Sequence, residues 1–111
     1  MEINHIEYKR CDLVKISGRV DSATAPKLGE VMNAITSAGR FRIVLEIADL
    51  DFISSAGLRI FITTQKTCKR YNRGEVVLAN VQTNIQSALE LAGFTPFFKS
   101  FDDTVSAVGY F

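Results

Sequence analysis

Two adjacent hydroxyls, Ser54 and Ser55, followed by Ala56, Gly57 and Leu58, form the stretch of this chain best suited to chemistry. The apolar, strand-like run from Phe41 to Ile47 and then Leu50-Asp51-Phe52-Ile53 lie before them, and a helix-patterned run begins at Leu58. Small polar residues at a strand-to-helix junction leave backbone N–H groups free, place the positive end of a helix dipole there and keep side-chain bulk low. An anion or a protein partner can then come close. The same residues also suit a purely structural role, in which either serine caps first-turn N–H groups and Gly57 lets the helix pack tightly on the sheet.

A serine nucleophile is the contrasting chemistry. It needs a base within hydrogen-bond reach, and the only histidine, His5, falls in a predicted edge strand; no Gly-x-Ser-x-Gly turn is present. Hydrolase activity is therefore poorly supported, and the residues around the turn suggest a binding surface instead. Cys11 and Cys68 are isolated, with neither CxxC spacing nor a His-rich neighbourhood, so no metal, no disulfide framework and no cofactor is expected.

The elements that must position the turn can be read from composition and periodicity. At 111 residues, with 47% hydrophobic and 23% charged side chains and 2 Pro and 7 Gly, the chain reads as one domain over residues 1–111 with no disordered linker. A net charge of +1 gives no general attraction to nucleic acid or anionic membrane. Lys66, Lys69, Arg70 and Arg73 cluster at a predicted helix end, where cations complement the dipole, and read as a solvated face in preference to a phosphate-binding patch. The first residues lack the basic-then-apolar order of a secretion signal, and no apolar run approaches the roughly 20 residues that span a bilayer. A soluble cytoplasmic protein is expected.

From Ile3 to Tyr8 the chain alternates loosely, turns through Lys9-Arg10-Cys11-Asp12 and runs on from Leu13 to Gly18, which predicts a β-hairpin. Leu28, Val31, Met32 and Ile35 then mark one buried helical face, with Pro26 in the first turn and Thr24 as the expected cap. The run from Phe41 to Ile47 reads as a central strand. Leu58, Phe61, Ile62 and Gln65 continue at helical spacing to about Tyr71, and Asn72-Arg73-Gly74 stops them before a strand from Glu75 to Ala79. A helix from Asn84 to Ala92 carries Ile85, Ala88, Leu89 and Ala92 on one face and ends at a left-handed Gly93. Pro96-Phe97-Phe98 predicts a brief last strand, and Asp102-Asp103 opens a terminal helix through Val108. This order predicts an α/β fold: a mixed sheet of four to five strands with about four helices mainly on one face.

Taken together, Gly18-x-x-Asp21 ahead of a helix, the strand Ile43-Val44-Leu45-Glu46-Ile47, the element Phe52-Ile53-Ser54-Ser55-Ala56-Gly57-Leu58 and the later Leu89-x-x-Ala92-Gly93-Phe94 resemble a STAS domain. The resemblance is nearest to bacterial anti-sigma factor antagonists and covers essentially the full chain. It implies a non-enzymatic switch, phosphorylated on one serine by a partner that is both anti-sigma factor and serine kinase, and restored by a serine phosphatase. Matched position by position, Ser55 takes the phosphoacceptor's place, and Ser54 stands where the family carries Asp. Asp21, Ser54, Ser55, Ala56 and Gly57 are implied as the partner-binding surface, although Asp21 also suits a helix-entry turn. A monomer or weak dimer is expected. A STAS subunit that docks constitutively in a transporter or larger assembly is the alternative.

Overall fold

The computed structural model describes residues 1–111, the side chain of Tyr71 excepted. The hairpin forms from β1 (Glu2–Glu7) and β2 (Asp12–Val20), paired antiparallel from Glu2↔Ser17 to Glu7↔Asp12. After α1 (Ala25–Ser37) come β3 (Arg42–Glu46), a short β4 (Leu50–Ile53), α2 (Ser55–Lys69) and β5 (Glu75–Ala79). The chain closes with α3 (Thr83–Leu91), β6 (Lys99–Phe101) and α4 (Thr104–Gly109).

The sheet runs β1-β2-β3-β5-β6, and every pair after the hairpin is parallel. Parallel neighbours cannot be joined by tight turns, so each link carries a crossover helix. β3 lies in the middle, and Ile43, Val44 and Leu45 are all fully buried, as its continuous apolar sequence requires. Side chains alternate between two cores. Ile43, Leu45, Val76 and Leu78 face α1, α2 and α3 in the larger core, whereas Val44, Val77 and Ala79 face Ala107 of α4 in the smaller one. Three helices therefore cover one face and α4 the other.

Two differences from the expected architecture have physical causes. The sheet has six strands, because Leu50–Ile53 forms β4, which pairs with the far half of β2. The last strand is Lys99–Phe101, whereas Pro96 and Phe97 lie in a 3-10 turn, Thr95–Phe97. Gln65, buried on α2, accounts for that shift. Its Nε2 donates to the carbonyls of Val76 (2.9 Å) and Phe97 (2.6 Å), and its Oε1 accepts from Val76 N–H (2.7 Å). The amide thus satisfies the edge of β5 at Val76, and β6 begins pairing one residue later, at Val77↔Lys99. Phe98 is left to plug the core, its ring edge-to-face with Phe61 at 6.4 Å.

The serine turn as candidate functional site

The turn owes its position to a bend in β2. At Gly18, with φ of +84°, the register shifts and the backbone N–H donates to Asp49 O at 2.9 Å. A left-handed φ of this kind favours glycine. Before the bend β2 pairs with β3; beyond it Arg19 and Val20 pair with Phe52 and Ile53 of β4. Ser54 N–H then donates to Val20 O at 2.8 Å, so the loop that starts at Asp21 and the turn that starts at Ser54 leave the sheet side by side. The strand leading into the turn is this short outer β4, whereas the sequence pattern suggested the central strand directly.

The two serines have different roles. Ser54 is the N-cap of α2: its Oγ accepts from Gly57 N–H at 3.2 Å and its carbonyl from Leu58 N–H at 2.9 Å. Serine and aspartate cap equally well, so the hydroxyl does a carboxylate's structural work without placing an anion beside Ser55. Ser55 is the first helical residue, exposed, and its hydroxyl has no hydrogen-bond partner among the described residues. Gly57 is buried beneath them. A Cβ there would stand 2.7 Å from Cγ1 of both Val20 and Ile53, so the close packing of helix on sheet requires glycine. Losing the cap, Ser54→Ala should lower unfolding free energy by about 1 kcal/mol in urea titrations, and Ser55→Ala by less than about 0.5 kcal/mol.

Asp21 shapes the neighbouring loop. Its Oδ1 accepts from the N–H groups of Thr24 and Ala23, each at 3.0 Å, while its own N–H donates to Thr24 Oγ1 at 2.9 Å. The Thr24 N–H above all, helped by its hydroxyl, Ala23 N–H and the charge of Arg19, holds this carboxyl below the usual carboxylate range. The helix-entry reading of Asp21 therefore holds, in a loop that also flanks the serines. Thr24 occupies the N-cap position of α1 but bonds back into this loop and leaves the helix uncapped by its side chain.

Sequence reasoning missed Arg19 and Phe52 as a unit. The guanidinium stacks 4.3 Å above the half-exposed ring, immediately before the turn on both strands. Only the β2–β4 register brings them together, and no local signal carries that pairing. His5, by contrast, is occupied elsewhere: its Nε2 lies 2.7 Å from Oδ1 of fully buried Asp12, whose Oδ2 accepts from Arg40 Nε at 2.6 Å. Asp12 begins β2 and Val20 ends it, about 26 Å apart at strand rise, so no imidazole serves the serines. Among the described residues no group of His, Cys, Asp or Glu could hold a metal. Both cysteines are buried, and burial pushes the Cys68 thiol up to about 12. No helix of the described chain is long and apolar enough to cross a membrane.

A mixed sheet with three helices on one face, presenting an exposed serine at a helix start beside a shaped loop, defines a small α/β domain. The chain belongs to the STAS domain family, whose model matches residues 2–107. It is 35% identical over 83 residues to BtrV of Bordetella bronchiseptica, a candidate anti-sigma factor antagonist by name, covering 75% of this chain and 71% of that one. In fold it is similar to the Bacillus anti-sigma factor antagonist SpoIIAA. The unphosphorylated form superposes with a TM-score of 0.83 at 14% identity over 98% of this chain and 95% of that one. The phosphorylated form gives 0.77 at 13%, covering 98% of each.

Proposed function

We propose that this protein is an anti-sigma factor antagonist: unphosphorylated, it binds an anti-sigma factor that is also a serine kinase, and so releases a sigma factor. The observation that carries this reading is the division of labour at the turn, where Ser54 is spent on the helix cap and Ser55 stands exposed. In the kinase complex the Ser55 Oγ attacks the ATP γ-phosphorus, the bond to the ADP oxygen breaks, and the hydroxyl proton leaves to the kinase or to solvent. The product gains about −1.5 to −2 charges at a helix start whose first N–H groups accommodate an anion, so the fold persists. The same charge sits within the surface formed by Asp21, Ser54, Ser55 and Ala56, over buried Gly57. Covered by a partner without pairing, it costs several kcal/mol, and each 1.4 kcal/mol is tenfold in affinity. The phosphorylated chain dissociates, and a serine phosphatase returns it to the binding form in the cytoplasm. The antagonist names of its relatives support this assignment over constitutive docking.

Calorimetric titration of the cognate anti-sigma kinase, in the presence of ADP, tests the proposal. Unphosphorylated protein is expected to bind and to displace the sigma factor, and the stoichiometrically phosphorylated protein to bind at least about 100-fold more weakly. Equal affinity of the two forms would show a constitutive docking module instead.

A further inference from the structure

α2 buries Gly57, Leu58, Phe61, Thr64, Gln65 and Cys68. Its outer side is fixed by the residues that fall opposite these. At 3.6 residues per turn, Ser55, Arg59 and Lys66 share one solvent-facing stripe, and all three are exposed. Ser55 and Arg59 stand four residues apart, which puts their Cβ atoms about 5–6 Å from one another. Side chains of a helix lean toward its N-terminus, so the long arm of Arg59 covers the turn ahead of it. That turn begins at Ser55.

The fold makes no use of this guanidinium. Among the described residues Arg59 has neither a hydrogen bond nor an ion pair, and no carboxylate of α1, β4 or the Asp21 loop pairs with it. The nearest charges of the turn are engaged elsewhere. Asp21 accepts from the N–H groups of Ala23 and Thr24, and the Arg19 guanidinium lies over the Phe52 ring. Val20 and Ile53 reach toward Gly57 beneath α2, so strand alternation turns Arg19 and Phe52 to the other side of the pair. Exposure alone would suit any solvated arginine. Its place one turn from Ser55, on the same stripe, gives Arg59 a specific use.

We propose that Arg59 receives the Ser55 phosphate in cis, closing over it as a two-oxygen ion pair; the inference rests on Ser55 being the phosphoacceptor. A guanidinium fork matches two phosphate oxygens at once, and an anion four residues ahead of a cation is the favourable order on a helix. The phosphate brings about −1.5 to −2 charges, so one guanidinium leaves the site net negative and the charge that repels a partner persists. The pair fixes that charge over the turn. A partner covering the turn then has to strip water from two ions together or separate them, and both are costly. Arg59 is thereby a positioning residue of the switch: it acts on the phosphorylated form and takes no part in the transfer.

Phosphoserine placed at position 55 by genetic-code expansion gives the full chain in its modified form without the kinase. In phosphorus NMR titrations the second ionisation of this phosphate is expected at lower pH with Arg59 than in Arg59→Gln, by about 0.5 unit, or about threefold in proton affinity. Arg59→Lys keeps a charge without the fork and should recover part of that shift. Arg19→Gln and Lys66→Gln each remove one cation, from the other side of the strand pair and from about 17 Å along α2, and should move the ionisation by less than about 0.2 unit. High salt should shrink the difference made by Arg59. A measurement that needs no substitution accompanies these: the Arg59 Nε–H resonance should move downfield when Ser55 carries phosphate. Ionisation unchanged within about 0.2 unit by Arg59→Gln, an equal shift in Arg19→Gln, no recovery in Arg59→Lys or an unmoved Nε–H resonance would overturn the pair. The two readings fail separately. Absence of kinase-catalysed transfer to Ser55 leaves this titration readable, and an unpaired phosphate leaves Ser55 an acceptor.

Discussion

Incubated with ATP and the cognate anti-sigma kinase, the wild-type protein and Ser54→Ala should each gain one phosphate, and Ser55→Ala none. The reason lies in where each hydroxyl is spent. Ser54 Oγ accepts from Gly57 N–H and is half-buried where strand meets helix, so phosphorylating it would disrupt the cap. Ser55 projects from the first helical position with no competing bond. Ser55→Ala removes the acceptor without adding charge, so it should still bind the kinase with wild-type affinity. Ser55→Asp should weaken binding only in part, because one carboxylate carries less charge and reaches less far than a phosphate. Intact-mass measurement followed by peptide mapping decides the matter. A phosphate found on Ser54, or on neither serine while the kinase demonstrably binds, would falsify the assignment.

The largest stability effect should follow truncation of Phe61. Its ring is 1% exposed, fills the space between α2 and the sheet and meets Phe98 edge-to-face. Phe61→Ala removes that contact and leaves a cavity bounded by rigid strands, which costs about 3–5 kcal/mol. Leu45→Ala in the central strand should cost about 2–5 kcal/mol. Domains of this size are stable by only about 5–15 kcal/mol, so either variant should shift the urea midpoint far to lower concentration. Changes below about 1 kcal/mol in both would contradict the buried positions of these side chains.

What sequence reasoning recovered depended on how local the causes were. α1, α2 and α3 follow from buried residues at helical spacing, and β3 and β5 from short continuous apolar runs, because each pattern is complete within its own segment. β4 was not legible. Its four residues alternate poorly, and it is a strand only because β2 bends at Gly18 and offers a free edge far earlier in the chain. The apolar Pro96-Phe97-Phe98 looked more like a strand than Lys99-Ser100-Phe101, but a side-chain amide from α2 had already taken the place where it would have paired. At the site, residue types around Ser55 sufficed to mark the turn, since small polar residues between a strand and a helix are a local signal. The neighbourhood of Asp21, Arg19 and Phe52 depends on strand register.

The central place of β3 also governs how the polypeptide is made. While the ribosome has delivered only the first two thirds of the chain, β3 has β2 on one edge and nothing on the other, because its second partner, β5, begins at Glu75. Gln65 then lacks the backbone groups of Val76 and Phe97 that later satisfy its amide, and Phe61 lacks Phe98. Partly synthesised chains consequently expose one edge of the central strand, and the core closes only as residues 75–101 emerge. Release at a premature stop codon within α2, before β5 is made, would yield an aggregation-prone product in place of a smaller working module.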